Sequence, residues 1–156
     1  MRLLNSLFSA LLVTLVVFTA ACETTDPYQV DYSLAPEPFS IDSAEKVETE
    51  SGLVYYVIEE GSGEEVSRRS SISVFYTGRK MSGEIFDSSY RNGNPNPATF
   101  NELGTLVKGF REGLIGMKEG GEKVLIIPPN LGYGGTSHQL SNDTLRFDVE
   151  LDEIAY

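Results

Sequence analysis

Residues able to do chemistry are sparse in this 156-residue chain, which holds one histidine, His138, and one cysteine, Cys22. One of each cannot assemble a zinc site, so no metal is expected. A hydrolase would need His138 as its base, but no nucleophile-elbow motif stands near it, and it reads as a surface loop residue. Gly132-Tyr133-Gly134-Gly135 is glycine-rich, yet it follows Pro128-Pro129 and lacks the lysine of a phosphate-binding loop. Carboxylates are plentiful, but most fall on the alternating outer positions of strand-like segments, where solvation explains them. What stands apart is aromatic: Tyr76, Phe86, Phe110, Tyr133 and Phe147, with Asp87 beside Phe86. Taken singly, each ring reads as core packing. As a set they can converge with Val107 into one apolar cup with Asp87 at its edge. Buried there, Tyr76 and Tyr133 would each need a hydrogen-bond partner, and Asp87 would need one more strongly.

The elements that must position these groups are mostly strands. Residues 53–58 are β-rich and close at Gly61-Ser62-Gly63. Residues 71–78 alternate, with Ile72, Val74 and Tyr76 on one face. Ser82-Gly83 is a turn signal, and residues 85–89 and 98–100 read as short strands around a Gly/Asn/Pro loop. Residues 122–127 form a strand stopped by Pro128-Pro129. Residues 144–154 alternate to the end, with the odd positions from Leu145 to Leu151 facing inward. Only 107–118 shows helical spacing, through Val107, Phe110, Leu114 and Met117. Gly109, Gly113 and Gly116 lie on a stripe beside that face, which weakens the helix by roughly 1 kcal/mol each but lets another element come close. Gly120-Gly121 is the expected stop. With no βαβ rhythm, this is an antiparallel α+β domain in which one helix packs on one sheet.

The two ends of the chain differ in material. Residues 1–21 carry Arg2, then an almost wholly apolar run from Leu3 to Val17, then small residues: a signal peptide, too short to span a bilayer. Cys22 has no partner in the chain. Thr19-Ala20-Ala21-Cys22 resembles a bacterial lipobox, with Thr19 where leucine is usual. The resemblance implies a diacylglycerol-type lipid on Cys22 and a membrane-anchored protein of the cell envelope, facing the periplasm from the inner or outer membrane. Residues 22–50 contain Pro27, Pro36 and Pro38 and sustain no period, so a flexible acidic linker is expected, at most with a helical turn over 43–50. Tyr28, Tyr32 and Phe39 could dock on the domain or on a partner, but the simpler reading keeps them as parts of that linker. The domain itself is expected over 51–156. A net charge of −11 argues against nucleic acid and against electrostatic docking on anionic lipid.

Five motifs then resemble, in order, one family. They are Val74-Phe75-Tyr76-Thr77-Gly78, Phe86-Asp87-Ser88-Ser89, Val107 to Leu114, Ile127 to Gly134, and Leu145 to Leu151. Together they are similar to the FK506-binding-protein-type peptidyl-prolyl isomerases. The resemblance implies a five- to six-stranded antiparallel sheet curled around one short α-helix. It also implies cis/trans isomerisation of X-Pro bonds in protein segments, without a cofactor, assisting the folding of envelope proteins. By this match Asp87, Tyr133 and Phe86 form the catalytic set. Tyr76, Leu106, Val107, Phe110, Leu140 and Phe147 would bind substrate, with the Val107 N–H and the Tyr133 hydroxyl meeting ligand carbonyls. Two departures stand out. Phe110 takes the floor position where many members have tryptophan, and residues 135–143 form a shortened flap without prolines, in which Leu140 replaces the flap isoleucine. Both imply weakened binding of macrolide inhibitors. The alternative reading is a non-catalytic, lipid-anchored binding or chaperone module of an envelope complex, with Leu140 or His138 blocking the pocket.

Overall fold

Two long strands set the frame of the computed structural model, which describes residues 29–155. The leader over 1–21, Cys22 and Tyr28 lie outside the described residues. β4 (Ser71–Lys80) and β9 (Leu145–Ala155) pair antiparallel from Ser71↔Ala155 to Lys80↔Leu145. Leu145, Phe147, Val149 and Leu151 are buried, as their alternation predicts. A register shift at Ser73/Val74 leaves Asp152 unmatched and reverses the phase, so Ile154 is the next buried residue.

The remaining strands flank this pair. β8 (Glu122–Ile127) lies along β9, β2 (Val54–Glu59) along β8, and β1 (Glu45–Glu48) along β2. β5 (Ile85–Ser88) and β6 (Ala98–Phe100) both pair with β4. The sheet is antiparallel with order β1-β2-β8-β9-β4-β5, and β6 lies off that path. β3 (Ser62–Glu65) and β7 (Lys118–Glu119) form a separate two-stranded piece. The main sheet has seven strands rather than five or six. The addition at one edge is β1, in a stretch read as linker with at most a helical turn. Val47, the one partly buried residue of β1, pairs with Tyr55.

The helix, α1 (Lys108–Leu114), is shorter than the 107–118 expected. Ile115 leaves helical conformation, and Gly116 turns with φ +81°. The stop is therefore Gly116, and Gly120-Gly121 instead makes the tight turn from β7 into β8, with the Gly121 N–H donating to the Lys118 carbonyl at 2.9 Å. Two of the three glycines do form a bare stripe. A Cβ on Gly113 would stand 2.5 Å from Leu125 Cδ2, and one on Gly109 2.6 Å from Ile127 Cγ2. The helix can lie on β8 only because these positions carry no side chain. Leu114 and Met117 are buried in the core with Leu53, Ile72, Val74, Leu125 and Ile127.

The linker expected over 22–50 needs a second correction. Residues 31–39 lie on the outer face of the sheet. The Tyr32 hydroxyl donates to the Phe86 carbonyl at 2.9 Å, and the Phe39 N–H to Asp148 Oδ1 at 3.0 Å. Arg79 donates to the Pro36 carbonyl, and Arg146 to the Phe39 carbonyl at 2.6 Å. Beneath this cover Arg79 pairs with Asp148 at 2.8 Å, their side chains only 5% and 4% exposed. Arg146 reaches the other oxygen of Asp148 at 2.6 Å. Asp148 is thus not one of the solvated outer carboxylates. Every charge in the cluster is answered, as burial of an ion pair requires.

Candidate functional site

The ends of β4, β5, β9 and the start of α1 meet at one cleft. Tyr76 stands on β4, directly across from Val149 on β9. Its strand partner β5 places Asp87 opposite Gly78. The two serines after Asp87 lock that placement. Ser88 Oγ donates to the Tyr76 carbonyl at 2.9 Å, and the Tyr76 N–H donates to Ser89 Oγ at 3.1 Å. Both serines are buried, so the Phe-Asp-Ser-Ser motif satisfies the backbone where the strand pair ends. Gly78 has its own reason to be glycine: a Cβ there would fall 2.8 Å from both Phe147 Cε1 and Phe86 Cζ.

The cleft has a volume of about 190 Å³ and is walled by Tyr76, Asp87, Phe100, Leu106, Val107 and Phe110, with Thr105, Tyr133 and Phe147 completing it. Its rings pack at angles. Phe110 and Phe147 lie 4.7 Å apart at 46°, and Tyr76 meets Phe110 edge-on at 5.6 Å and 62°. Phe110 and Phe147 are 3% and 5% exposed, so they form a floor that also belongs to the core. The volume lies below the roughly 300–1,000 Å³ typical of drug-sized sites, so it suits one ring-sized group of a longer chain.

Polar groups are few and oriented. The Tyr76 hydroxyl donates to Asp87 Oδ2 at 2.9 Å, while Asp87 Oδ1 accepts the Ser88 N–H at 2.9 Å. Burial first, and then the Asp87 carboxylate, push the Tyr76 phenol well above the ordinary tyrosine range. The same two causes, in that order, raise Tyr133. Both phenols therefore stay neutral donors. No hydrogen-bond partner meets the Tyr133 hydroxyl among the described residues, which leaves it free for a ligand. No cluster of three or more His, Cys, Asp or Glu is placed to hold a metal among those residues.

Most of the expected residues thus come together: Tyr76, Asp87, Leu106, Val107, Phe110, Tyr133 and Phe147 share the cleft. Phe86 stands behind it, edge-on to Phe147 at 5.5 Å and 89°, and supports the wall without lining it. Leu140 is displaced from its expected role. It is 2% exposed and packed in the core. His138 accepts the Leu140 N–H at 3.1 Å and stacks on Tyr133, ring centroids 3.9 Å apart at 14°. Neither Leu140 nor His138 blocks the cleft. Phe100 and Thr105 were missed. Phe100 ends a three-residue strand too short to show alternation, and Thr105 sits in a one-turn 3-10 segment, Leu103–Thr105.

Comparisons with known proteins bear on the family and the fold. The family model described as FKBP-type peptidyl-prolyl cis-trans isomerase matches residues 62–152. The chain is 42% identical over 105 residues to the FKBP-type peptidyl-prolyl cis-trans isomerase FkpA of Escherichia coli K12, covering 66% of this chain and 38% of that protein. It is 41% identical over 109 residues to FkpA of Buchnera aphidicola from Schizaphis graminum, covering 68% and 42%. The crystal structure of FkpA from Escherichia coli is similar with a TM-score of 0.63 at 39% identity, over 70% of this chain and 51% of that one. That of AtFKBP13 gives 0.61 at 31% identity, over 71% and 99%. The chain spans about two fifths of the length of these curated relatives.

Proposed function

Because this chain belongs to the FKBP-type peptidyl-prolyl cis-trans isomerase family, we propose that its aromatic cleft isomerises X-Pro bonds in protein segments. The observation that carries this reading is the open, ring-sized apolar cleft with one hydrogen-bonded carboxylate at its edge.

An X-Pro amide resists rotation by ~18–20 kcal/mol because of its resonance. At the half-rotated point that resonance is gone, the nitrogen is pyramidal and the carbonyl carbon is more electron-poor. No covalent bond to the protein is needed. The proline ring rests on Phe110 and Phe147 while the carbonyl end turns. Removing the planar amide from water disfavours its charge-separated resonance form, and binding that favours the twisted form lowers the barrier. Tyr133, with its hydroxyl unengaged and neutral, holds a carbonyl of the chain. Asp87, already accepting from Tyr76 and from the Ser88 N–H, acts as a fixed negative charge beside the twisting amide, not as a proton carrier. Lowering the barrier by ~7 kcal/mol would accelerate rotation about 10⁵-fold.

The test is a proline-limited refolding assay on the full chain. Asp87→Ala is expected to cut the rate at least tenfold with the far-UV spectrum unchanged. An undiminished rate in a folded variant would remove Asp87 from the mechanism.

The finer parts of the reading concern place and ligands. Residues 1–22 support a lipid anchor on Cys22 and a station in the cell envelope, where the clients would be envelope proteins. No helix among the described residues is long and apolar enough to cross a membrane. Mass spectrometry of the mature N-terminus tests the anchor: a lipid-free chain beginning elsewhere than Cys22 would refute it. Phe110 and the turned-in Leu140 support weak macrolide binding. The rival, a binding module without catalysis, needed a blocked pocket, and the open cleft speaks for catalysis.

A further inference from the structure

Beside the aromatic cleft lies a larger hollow of about 570 Å³, which Arg68, Lys108 and Arg111 help to wall. It shares Arg68 and Gly104 with a second depression of about 330 Å³ that also takes in Arg69. Four cations thus line two adjoining depressions in a chain of net charge −11. None of the four is in an ion pair among the described residues, where the pairs are Arg79–Asp148, Lys80–Glu84, Lys118–Glu65 and Arg146–Asp148. Two carboxylates lie in the hollow. Glu112 stands four residues after Lys108, yet it accepts from the Ser51 hydroxyl at 2.8 and 2.9 Å instead. A lysine four residues before a glutamate is the weaker order for a helical pair, which agrees with that choice. Glu102 borders only the smaller depression.

The hollow adjoins the proline cleft. Gly104 walls the hollow and Thr105 the cleft; Lys108 walls the hollow and Val107 the cleft. The segment 103–108 is a partition between them. A polypeptide with proline in the cleft, extended at about 3.4 Å per residue, would bring a side chain roughly three or four residues away over that partition. We propose that the hollow binds acidic side chains of the client, so that X-Pro bonds flanked by Asp or Glu are the favoured substrates. Arginine forks at Arg68 and Arg111 suit carboxylates through paired hydrogen bonds. Elsewhere the acidic surface repels such clients, and this basic patch gives them one place to land. The inference rests on the isomerase reading above.

The experiment compares Phe-Pro peptides on the full chain. One is neutral; others carry two glutamates, or two lysines, three and four residues before or after the proline. At low salt the glutamate peptide is expected to show about fivefold higher kcat/KM on one side, through KM, the size expected of two solvent-exposed ion pairs. The advantage should disappear in 0.5 M salt. Arg68→Glu with Arg111→Glu should reverse the preference while leaving the neutral peptide's turnover unchanged. Equal rates for glutamate and neutral peptides on both sides overturn the proposal and leave the isomerase reading standing. So does a glutamate advantage that survives the double substitution. Should no peptide turn over, the isomerase reading fails. Fluorescence anisotropy of labelled peptides then decides the hollow by itself: tighter binding of the glutamate than of the lysine peptide supports it, and equal binding overturns it.

Discussion

Strands β4 and β9 bury their inner face, and their outer face around Arg79 and Asp148, by opposite means. The inner face is apolar: Val74, Leu145, Val149 and Leu151 pack without a charge, and Phe147 joins the cleft. The outer face is ionic: Arg79, Asp148 and Arg146 are covered by residues 36–39, and that cover is hydrogen-bonded through backbone atoms. The inner face tolerates adjustment by small shifts of side chains. The outer face has no such slack, because removal of one charge strands another.

The largest effect should come from breaking the outer cluster. Asp148→Ala leaves Arg79 buried without a counter-ion and is expected to destabilise the fold by about 3–5 kcal/mol in denaturant titration. Replacing Arg79 and Asp148 together by methionine and leucine should recover only part of that loss, because Arg146 and the Phe39 N–H also lose Asp148. If the single change is mild, the outer face is wetter than its exposure implies. Next comes a change under the inner face. Gly113→Ala pushes a methyl against Leu125 and should cost about 1–3 kcal/mol, despite alanine's better helix propensity. A stabilised variant would mean that the helix does not rest on β8.

Tyr32→Phe is smaller. It deletes one hydrogen bond to the Phe86 carbonyl, for about 0.5–1.5 kcal/mol, and measures how firmly the outer segment holds β5. Smallest, and absent at neutral pH, is the titration of Tyr76. Its folded-state affinity for the proton is raised by burial and by Asp87. The unfolded chain ionises this phenol from about pH 10. Stability is therefore full below pH 10 and falls as pH rises beyond it, since the folded state binds the extra proton. Tyr76→Phe should flatten that fall in pH-dependent melting. An unchanged slope would place the phenol in water.

The same comparison explains what was readable beforehand. The inner face follows from periodicity: Leu145 to Leu151 alternate, Phe110 and Leu114 share a helical face, and the five motifs bring Tyr76, Asp87, Val107 and Tyr133 to one place. The outer face does not follow. Asp148 sits at an even, outward position, and nothing local distinguishes it from Glu150. Its burial depends on Pro36 and Phe39, more than a hundred residues away, acting through backbone groups that every residue type possesses. The helix end is not legible in the sequence for a related reason. Gly116 and Gly120 are equally plausible stops by type, and the choice falls to Gly116 because its N–H is taken by the Val66 carbonyl at 2.9 Å. Leu140 follows from the resemblance alone, with no periodicity behind it, and the structure packs it in the core.

The four-residue strand β1 has one more consequence. An open strand edge is a template on which extended segments of other chains can pair. Without β1, the outer rim of β2 would offer such a row of unsatisfied amides and carbonyls. β1 takes that rim itself, and it is short and charged, reading Glu45-Lys46-Val47-Glu48 with only Val47 turned in. A client strand meeting it finds little length to match and like charges to avoid. The N-terminal segment thus leaves no bare rim on β2 for the strand of another chain to extend.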